Sequence, residues 1–238
     1  MRKVIKIESK RHHIVIEQYG VMENFDKIIL FCHGFPGTNR LVNLEEALKN
    51  KPVSIVEINY RGDKKSGGKF SFLGSMADIL TVARYLKRSY GSIPIYAIGY
   101  SMGGFYVANL LNLYPSIFDG VILLNPVVDT EAFFSDKALM DDLWKYARDI
   151  LSLRSQAFYE KEIIRINQRN NPMKFAHRIK TPIIIVQSGD DEVLDPEIVK
   201  KFFVALELNC VEKRLFWIPN AKHDLMGDEE QLLRAIIE

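Results

Sequence analysis

The chain has 238 residues, of which 47% are hydrophobic and 26% are charged. This is an ordinary globular composition, and it excludes a disordered tail protein or a coiled coil. The formal net charge is only +2, which excludes nucleic acid as the main partner because a phosphate backbone is held by a large basic excess.

The length favours a single domain over residues 1–238. The first 18 residues mix charged and apolar side chains, unlike a signal peptide, and no uncharged apolar stretch is long enough to span a membrane. The two cysteines, Cys32 and Cys210, give neither a disulfide framework nor a zinc-binding spacing. A chain of this size without bridges is typical of a reducing compartment, so we expect a cytoplasmic protein. The sequence does not indicate an oligomeric state.

The chain opens with two short alternating segments, 4–8 and 13–18, which predict an antiparallel hairpin at one edge of a sheet. Continuous apolar runs follow, and this pattern is typical of strands that helices bury on both faces. These predicted strands span 27–32, 53–59, 93–98, 120–124, 182–187 and 214–218.

Segments with apolar residues at helical spacing separate the predicted strands. They cover 41–48, 76–87, 101–114, 196–208 and 228–237. Asp195 is placed to cap the helix that begins at Pro196. The alternation of strand and helix over most of the chain predicts an α/β fold, with a mostly parallel central sheet and helices on both faces.

One long segment, 129–180, contains no good strand pattern. Apolar side chains recur there at helical spacing in two stretches, 139–151 and 158–166. We predict a small helical cap, inserted over the carboxyl edge of the sheet; ordinary packing helices are the alternative. The aromatic pair at 133–134 and Trp144 are candidates for an acyl pocket or for the core of the cap.

The strongest local signal is the sequence Gly99-Tyr100-Ser101-Met102-Gly103-Gly104. It directly follows the predicted strand at 93–98 and opens a helical segment, which is the strand–turn–helix setting of a nucleophile elbow. The backbone turns sharply there, so the serine hydroxyl projects above the sheet and the flanking glycines allow close approach. We therefore predict that Ser101 is a nucleophile; an ordinary turn with an incidental serine is the alternative.

A serine hydroxyl needs a neighbouring base to take its proton, and the chain has five histidines. His223 lies in the loop after the last predicted strand, at the sheet edge where such folds place function. His12, His13 and His177 are expected at the surface or in packing. His33 ends a buried strand and is expected to shape the following loop. His223 is therefore the predicted base.

The base needs an acid that fixes its tautomer and stabilises the imidazolium. The run after the preceding strand is dense in carboxylates, and adjacent residues of an extended segment point in opposite directions. Asp190 and Asp191 are therefore not both expected to face the base. Asp195 is better explained as a helix cap and Glu192 as part of a solvated loop. The chain order of nucleophile, acid and base favours Asp191, with Asp190 and Asp195 as alternatives.

These motifs together resemble those of the α/β-hydrolase superfamily, and the resemblance covers nearly the whole sequence. The matching segments are 33–37 (His-Gly-Phe-Pro-Gly), 99–104, 189–193 and 222–224. The superfamily's acid commonly precedes a short hydrophobic pair, here Val193-Leu194, and this selects Asp191. The similarity also implies an oxyanion hole formed by the backbone amides of Phe35 and Met102.

Within the superfamily, the chain is similar to small esterases with a helical insert, of the cinnamoyl and feruloyl esterase-like and monoglyceride lipase-like groups. Residues 59–63 also resemble the catalytic domain of prolyl oligopeptidase-type peptidases. The implied function is a serine hydrolase that cleaves small-molecule carboxylic esters through an acyl-enzyme, with Ser101, Asp191 and His223 as its triad. It requires no metal and no organic cofactor. Amide, peptide or thioester hydrolysis by the same triad is an alternative, as is a non-catalytic binding protein that keeps the fold.

Overall fold

The computed structural model describes residues 2–9, 12–37, 48, 51–206, 212–225 and 227–228. Its strands are β1 (Lys3–Glu8), β2 (His13–Gly20), β3 (Lys27–Cys32), β4 (Val53–Asn59), β5 (Ile95–Tyr100), β6 (Gly120–Leu124), β7 (Ile183–Ser188) and β8 (Lys213–Ile218). They form one sheet in the order β1-β2-β4-β3-β5-β6-β7-β8. β1 with β2 and β2 with β4 pair antiparallel, and the other neighbours pair parallel. The predicted mostly parallel α/β sheet with an antiparallel edge hairpin is confirmed.

Helices alternate with these strands. They are α1 (Phe72–Tyr90), α2 (Met102–Leu113), α3 (Thr130–Ser135), α4 (Lys137–Ile150), α5 (Gln156–Arg169) and α6 (Pro196–Ala205), with two 3-10 turns at Pro172–Lys174 and Ala176–Arg178. Of the helix predicted at 41–48 only Leu48, which is helical, is described. The helix predicted at 228–237 lies outside the described residues apart from its first position. Within the described part of the chain, no helix combines the length and the apolar character needed to cross a bilayer.

The strand β5 begins later and ends later than the predicted 93–98. The N–H of Ile93 donates instead to the carbonyl of Tyr90 (3.3 Å), in the turn that follows α1. At the other end, Tyr100 still pairs with Leu124 of β6. The strand therefore runs directly into the serine of the glycine-rich motif.

Alternate residues of each strand point to opposite faces of the sheet. In β3, Leu30 belongs to the buried cluster that α1 and α2 share, whereas Phe31 belongs to a second cluster that includes Leu48. Because both faces are buried, the central strands are apolar along their length. The carboxyl ends of the parallel strands meet at one edge, and polar side chains gather there.

The predicted insertion at 129–180 contains α3, α4, α5 and the two 3-10 turns, and it joins β6 to β7. Its helix α4 packs on the loop after β3, where the rings of Trp144 and Phe35 are 5.0 Å apart. A Cβ on Gly37 would lie 3.2 Å from Cε1 of Tyr146, also on α4. The insertion thus contacts the loop that runs past the glycine-rich motif.

Candidate active site

Ser101 lies at the sharp turn between β5 and α2. Its backbone has φ 53° and ψ −119°, a region that residues with a side chain rarely adopt. The turn is held on both sides, because the Ser101 N–H donates to the Leu124 carbonyl (2.9 Å) and its carbonyl accepts from the Val127 N–H (3.0 Å). A Cβ at Gly103 would lie 1.9 Å from the Cys32 carbonyl oxygen, so only glycine fits there. This is the geometry of a nucleophile elbow.

His223 and Asp191 are joined through their side chains. His223 Nδ1 lies 2.9 Å from Oδ1 and 2.8 Å from Oδ2 of the carboxylate. The N–H groups of Val193 and Leu194 donate to Oδ1, each at 2.9 Å, and Gln187 Nε2 donates to Oδ2 at 3.3 Å. The Asp191 side chain is fully buried and that of His223 is 9% exposed. The carboxylate is thereby held rigidly and orients the imidazole with Nε2 directed away from it.

The other carboxylates of this run have different partners. Asp195 Oδ1 accepts from the Glu197 N–H (2.9 Å) and caps α6, as the sequence predicts. Asp190 is exposed, and its N–H donates to the Ala221 carbonyl (3.1 Å). Glu192 is not simply solvated, because its Oε2 accepts from the His223 N–H (3.2 Å). Of the three aspartates considered, Asp191 is the one whose side chain contacts the histidine.

The loop after β3 brings its backbone alongside the serine. A Cβ on Gly34 would lie 3.0 Å from Ser101 Cβ and 3.4 Å from Ser101 Oγ. Within the described residues, neither the Phe35 N–H nor the Met102 N–H donates a hydrogen bond. Met102 begins α2, so its N–H belongs to the positive end of a helix. Two unpaired amides close to a nucleophile are what a developing oxyanion requires.

His33 makes its contacts with this loop rather than with the serine. Its Nδ1 lies 2.8 Å from the Gly34 carbonyl oxygen, and the Tyr60 hydroxyl donates to the His33 carbonyl (3.1 Å). Burial lowers the pKa of the His33 imidazole, because the charged form loses its hydration. His12 precedes β2, and its Nε2 lies 3.0 Å from Oδ1 of Asp78 on α1.

The Ser101 hydroxyl and the His223 ring stand at the same sheet edge without a direct hydrogen bond between them in the described structure. Nucleophile–base contacts are often long before substrate binds and tighten in the reacting complex. A neighbour of the serine links the two segments. The carbonyl of His223 accepts from the hydroxyl of Tyr100 (3.2 Å), the residue directly before Ser101.

Sequence reasoning missed the polar side chains that hydrogen-bond the backbone of the loop carrying His223, at Lys222 and His223. The carbonyl of His223 also accepts from Asn125 Nδ2 (2.8 Å), and the Ser188 hydroxyl donates to the Lys222 carbonyl (2.8 Å). Tyr100, Asn125 and Ser188 stand at the carboxyl ends of β5, β6 and β7. A signal was present in the sequence, since each is a polar residue directly at the end of a buried apolar run.

Two hollows lie beside these loops. One of about 180 Å³ is formed by the segments after β6 and β7, and Phe133, Val127, Leu194 and Val199 line it. The other, of about 600 Å³, lies between α4 and α5 and is lined by Phe134, Trp144 and Tyr159 among others. The candidate aromatic residues of the sequence therefore separate into two hollows. The smaller hollow is flanked by Pro126 and Val193, close to the serine and to the acid.

Comparisons with known proteins give consistent results. Residues 44–236 match the sequence pattern of the prolyl oligopeptidase family. A monoglyceride lipase homolog of Monkeypox virus is 19% identical over 89% of this chain and 86% of that protein. The acylamino-acid-releasing enzyme of Sus scrofa is 23% identical over 54% of this chain, but the match spans only 17% of that enzyme. Among solved structures, Est1E from Butyrivibrio proteoclasticus with ferulic acid bound has a TM-score of 0.78 at 21% identity, over 98% of this chain and 96% of that one.

The sheet order and the structural neighbours show the fold of an α/β-hydrolase, as predicted. The family match over residues 44–236 confirms the predicted superfamily and the prediction of a hydrolytic enzyme. The family match extends over most of the sequence. The chain therefore belongs to the prolyl oligopeptidase family.

Proposed function

We propose that this protein is a serine esterase that cleaves carboxylic esters of small or acyl-chain substrates through an acyl-enzyme. The observation that carries the proposal is the buried contact between His223 and Asp191, 2.8 Å from Nδ1 to Oδ2, at the sheet edge where Ser101 forms its elbow. An acid that fixes the imidazole, a base and a strained serine at one edge make up a machinery for nucleophilic acyl transfer.

In the first half of the reaction, Ser101 Oγ attacks the ester carbonyl while its proton passes to His223 Nε2. Asp191 stabilises the imidazolium that results and keeps it in one orientation. The negative charge that develops on the substrate oxygen accepts hydrogen bonds from the amides of Phe35 and Met102. Each such donor contributes about 3–4 kcal/mol to the stability of the transition state.

In the second half, the tetrahedral intermediate collapses and the alcohol leaves with the proton held by His223. The acyl group stays on Ser101 as an ester. A water molecule then attacks this ester, with His223 as general base, and the carboxylic acid is released. The serine regains its proton, and no metal or organic cofactor takes part.

The hollow of about 180 Å³ beside the triad is proposed to take the acyl chain. Its lining includes the apolar side chains of Phe133 and Leu139 from the insertion and Leu194 from the loop after β7, beside three carboxylates, those of Asp129, Asp136 and Asp195. It is smaller than the roughly 300–1,000 Å³ of ordinary ligand pockets. We therefore expect short acyl chains to be turned over faster than long ones.

We further propose that the segment 129–180 is a cap over the site. The contact between Trp144 and Phe35, with ring centroids 5.0 Å apart, supports this role. The ring of Phe35 also packs on Phe70 and Phe72, at 5.1 Å and 5.0 Å. Phe35, whose amide is one proposed oxyanion donor, therefore packs both on the segment at the start of α1 and on the insertion.

Amide, peptide or thioester hydrolysis is a second candidate, because the family pattern at 44–236 is that of prolyl oligopeptidases. The acyl half of the chemistry is the same for all these bonds, and the leaving group distinguishes them. A leaving amine must be protonated as it departs, whereas a p-nitrophenolate needs little assistance.

The experiment is a substrate comparison with the purified protein. p-Nitrophenyl esters from acetate to palmitate are assayed beside the matching p-nitroanilides and acyl-CoA thioesters, with Ser101→Ala as the control. The proposal predicts serine-dependent turnover of the short esters with kcat/KM well above that of the anilides and thioesters. Turnover that survives in Ser101→Ala would overturn it, and a preference for anilides or acyl-CoA would replace it by the second candidate.

A further inference from the structure

Asn125 is a buried polar residue in an unusual backbone conformation, directly after β6. It has no exposed surface and a φ of 41°, and its N–H donates to the Val186 carbonyl (2.9 Å). A left-handed conformation is unfavourable for a residue with a side chain, although less so for asparagine than for most others. A buried amide is also unfavourable unless its polar atoms are paired. The bonds that the side chain makes must therefore offset two unfavourable contributions.

Those bonds use each polar atom of the Asn125 side chain. Oδ1 accepts from the Ser188 N–H (2.8 Å), while Nδ2 donates to the His223 carbonyl (2.8 Å) and to the Ser188 hydroxyl oxygen (2.8 Å). A backbone N–H can only donate and a carbonyl can only accept, so these two partners fix which way the amide points. The contact with His223 is thus a true donor–acceptor pair.

The segment around Asn125 also holds the serine. Leu124 accepts the N–H of Ser101 (2.9 Å), and Val127 donates to the carbonyl of Ser101 (3.0 Å). Asn125 stands between these two residues and binds the carbonyl of His223. One short segment, four residues long, is therefore hydrogen-bonded to the nucleophile on both sides and to the backbone of the base.

The contact between Asn125 and the His223 carbonyl differs in its role from the contact between Asp191 and the His223 ring. Asp191 binds ring Nδ1 of His223 and sets the orientation of the ring, whereas Asn125 binds the main chain and sets where the ring stands. The Tyr100 hydroxyl donates to the same carbonyl at a longer distance, 3.2 Å. Among the residues that the structure describes, loss of Asn125 would leave that carbonyl with the Tyr100 donor alone, and the ring could move while it stays paired with Asp191.

We propose that Asn125 is a positioning residue that holds His223 at the separation from Ser101 that proton transfer requires, an inference that rests on the function proposed above. It acts through the backbone and does not touch substrate. A displacement of a reacting group by about 1 Å can cost on the order of 100-fold in rate. Asn125→Ala is therefore expected to lower kcat by about 10- to 100-fold while KM for a p-nitrophenyl ester stays within about twofold.

The test measures kcat and KM with p-nitrophenyl butyrate, the second-order rate of labelling by a fluorophosphonate, and the melting temperature. Asn109→Ala is the matched control: Asn109 is also buried, its Nδ2 donates to the Phe105 and Asn170 carbonyls (3.0 and 2.9 Å), and its Oδ1 accepts from Asn170 Nδ2 (2.9 Å). Both variants should have a lower melting temperature than the parent protein. Only Asn125→Ala should also have a lower kcat and a lower rate of fluorophosphonate labelling.

Tyr100→Phe removes the second donor to the His223 carbonyl and keeps the aromatic packing. It is expected to lower kcat about threefold or more at unchanged KM. If Asn125→Ala does not fold, this variant alone tests whether the donors to the His223 carbonyl position the base. Full kcat in Tyr100→Phe together with full kcat in a folded Asn125→Ala would overturn the inference. An equal loss of kcat in Asn109→Ala, or a rise in KM without a fall in kcat, would also overturn it. Activity that persists in Ser101→Ala would instead remove the proposed function itself, so the two failures are distinguishable.

Discussion

The carboxylate of Glu162 accepts a hydrogen bond from the backbone N–H of Phe72, with 3.1 Å between Oε2 and the nitrogen. Its other oxygen accepts from the Leu73 N–H (3.1 Å) and from the hydroxyl of Ser71. Ser71 is the N-cap of α1, whereas Glu162 belongs to α5 in the insertion. A side chain of the proposed cap therefore satisfies the free amides at the start of a helix of the sheet domain.

Replacement of this carboxylate is expected to destabilise the whole protein. Glu162→Ala leaves buried donors without a partner, which costs about 1–3 kcal/mol for each unpaired group, so we expect a loss of at least about 2 kcal/mol in the free energy of unfolding. Glu162→Gln keeps an acceptor and should lose less. The measurement is urea denaturation followed by tryptophan fluorescence.

The control for that series is Glu160→Ala, two residues away on the same helix, where the side chain is exposed and accepts a hydrogen bond from Gln156 Nε2 (2.9 Å). It should change the free energy of unfolding by less than about 0.5 kcal/mol. Equal effects of Glu160→Ala and Glu162→Ala would show that the helix contact does not anchor the insertion.

The carboxylates after β7 should separate into a catalytic one and a structural one. Asp191→Asn should lower kcat by about 10⁴-fold, because an amide no longer fixes the histidine tautomer or stabilises its charge. Asp195→Ala should remove the cap of α6 and cost about 1 kcal/mol of stability, with kcat little changed. Steady-state kinetics and thermal melts on the two variants, with Asp190→Asn beside them, make the comparison. A large loss of kcat in Asp190→Asn or Asp195→Ala would reassign the acid.

The free energy of unfolding should decrease as the pH falls below about 6.5, partly because of His33. Burial lowers the pKa of His33 in the folded protein, so the unfolded chain binds its proton at a higher pH than the folded chain does. Below the unfolded pKa of about 6.5, the unfolded state takes up more protons, and the free energy of unfolding falls by up to about 1.4 kcal/mol per pH unit. The stabilisation is present above that pH and is lost as the pH falls.

Urea denaturation at pH 5, 6, 7 and 8 checks this pH dependence. His33→Gln should flatten the slope between pH 5 and 6.5 relative to the parent protein. A slope that is unchanged in His33→Gln would show that another group carries the acid sensitivity.

Much of the fold could be predicted because the local patterns have local causes. The central strands are buried on both faces, so β3 and β6 read as continuous apolar runs. Asp195 could be assigned as a helix cap because a cap depends only on the residues next to it. The elbow at Ser101 was recognisable because its serine and glycines stand at fixed spacing in one short segment, where a Cβ on Gly99 would lie 2.8 Å from the Gly103 carbonyl oxygen.

The support of the site could not be predicted in the same way. Glu192 was expected in a solvated loop, yet it accepts from the N–H of His223 (3.2 Å), 31 residues later in the chain. The bond between Asn125 and His223 joins residues 98 positions apart. Such contacts depend on which strand ends are neighbours in the sheet. The sequence of a short segment does not determine the order in which parallel strands pair.

The most direct test of the central claim is to find which side chain reacts as the nucleophile. The protein and its Ser101→Ala variant are incubated with a fluorophosphonate, which phosphonylates an activated serine with loss of fluoride, and peptides are mapped by mass spectrometry. We predict one adduct per chain, on Ser101, that is absent in Ser101→Ala. An adduct on another residue, or ester turnover in an unlabelled protein, would contradict the proposed mechanism.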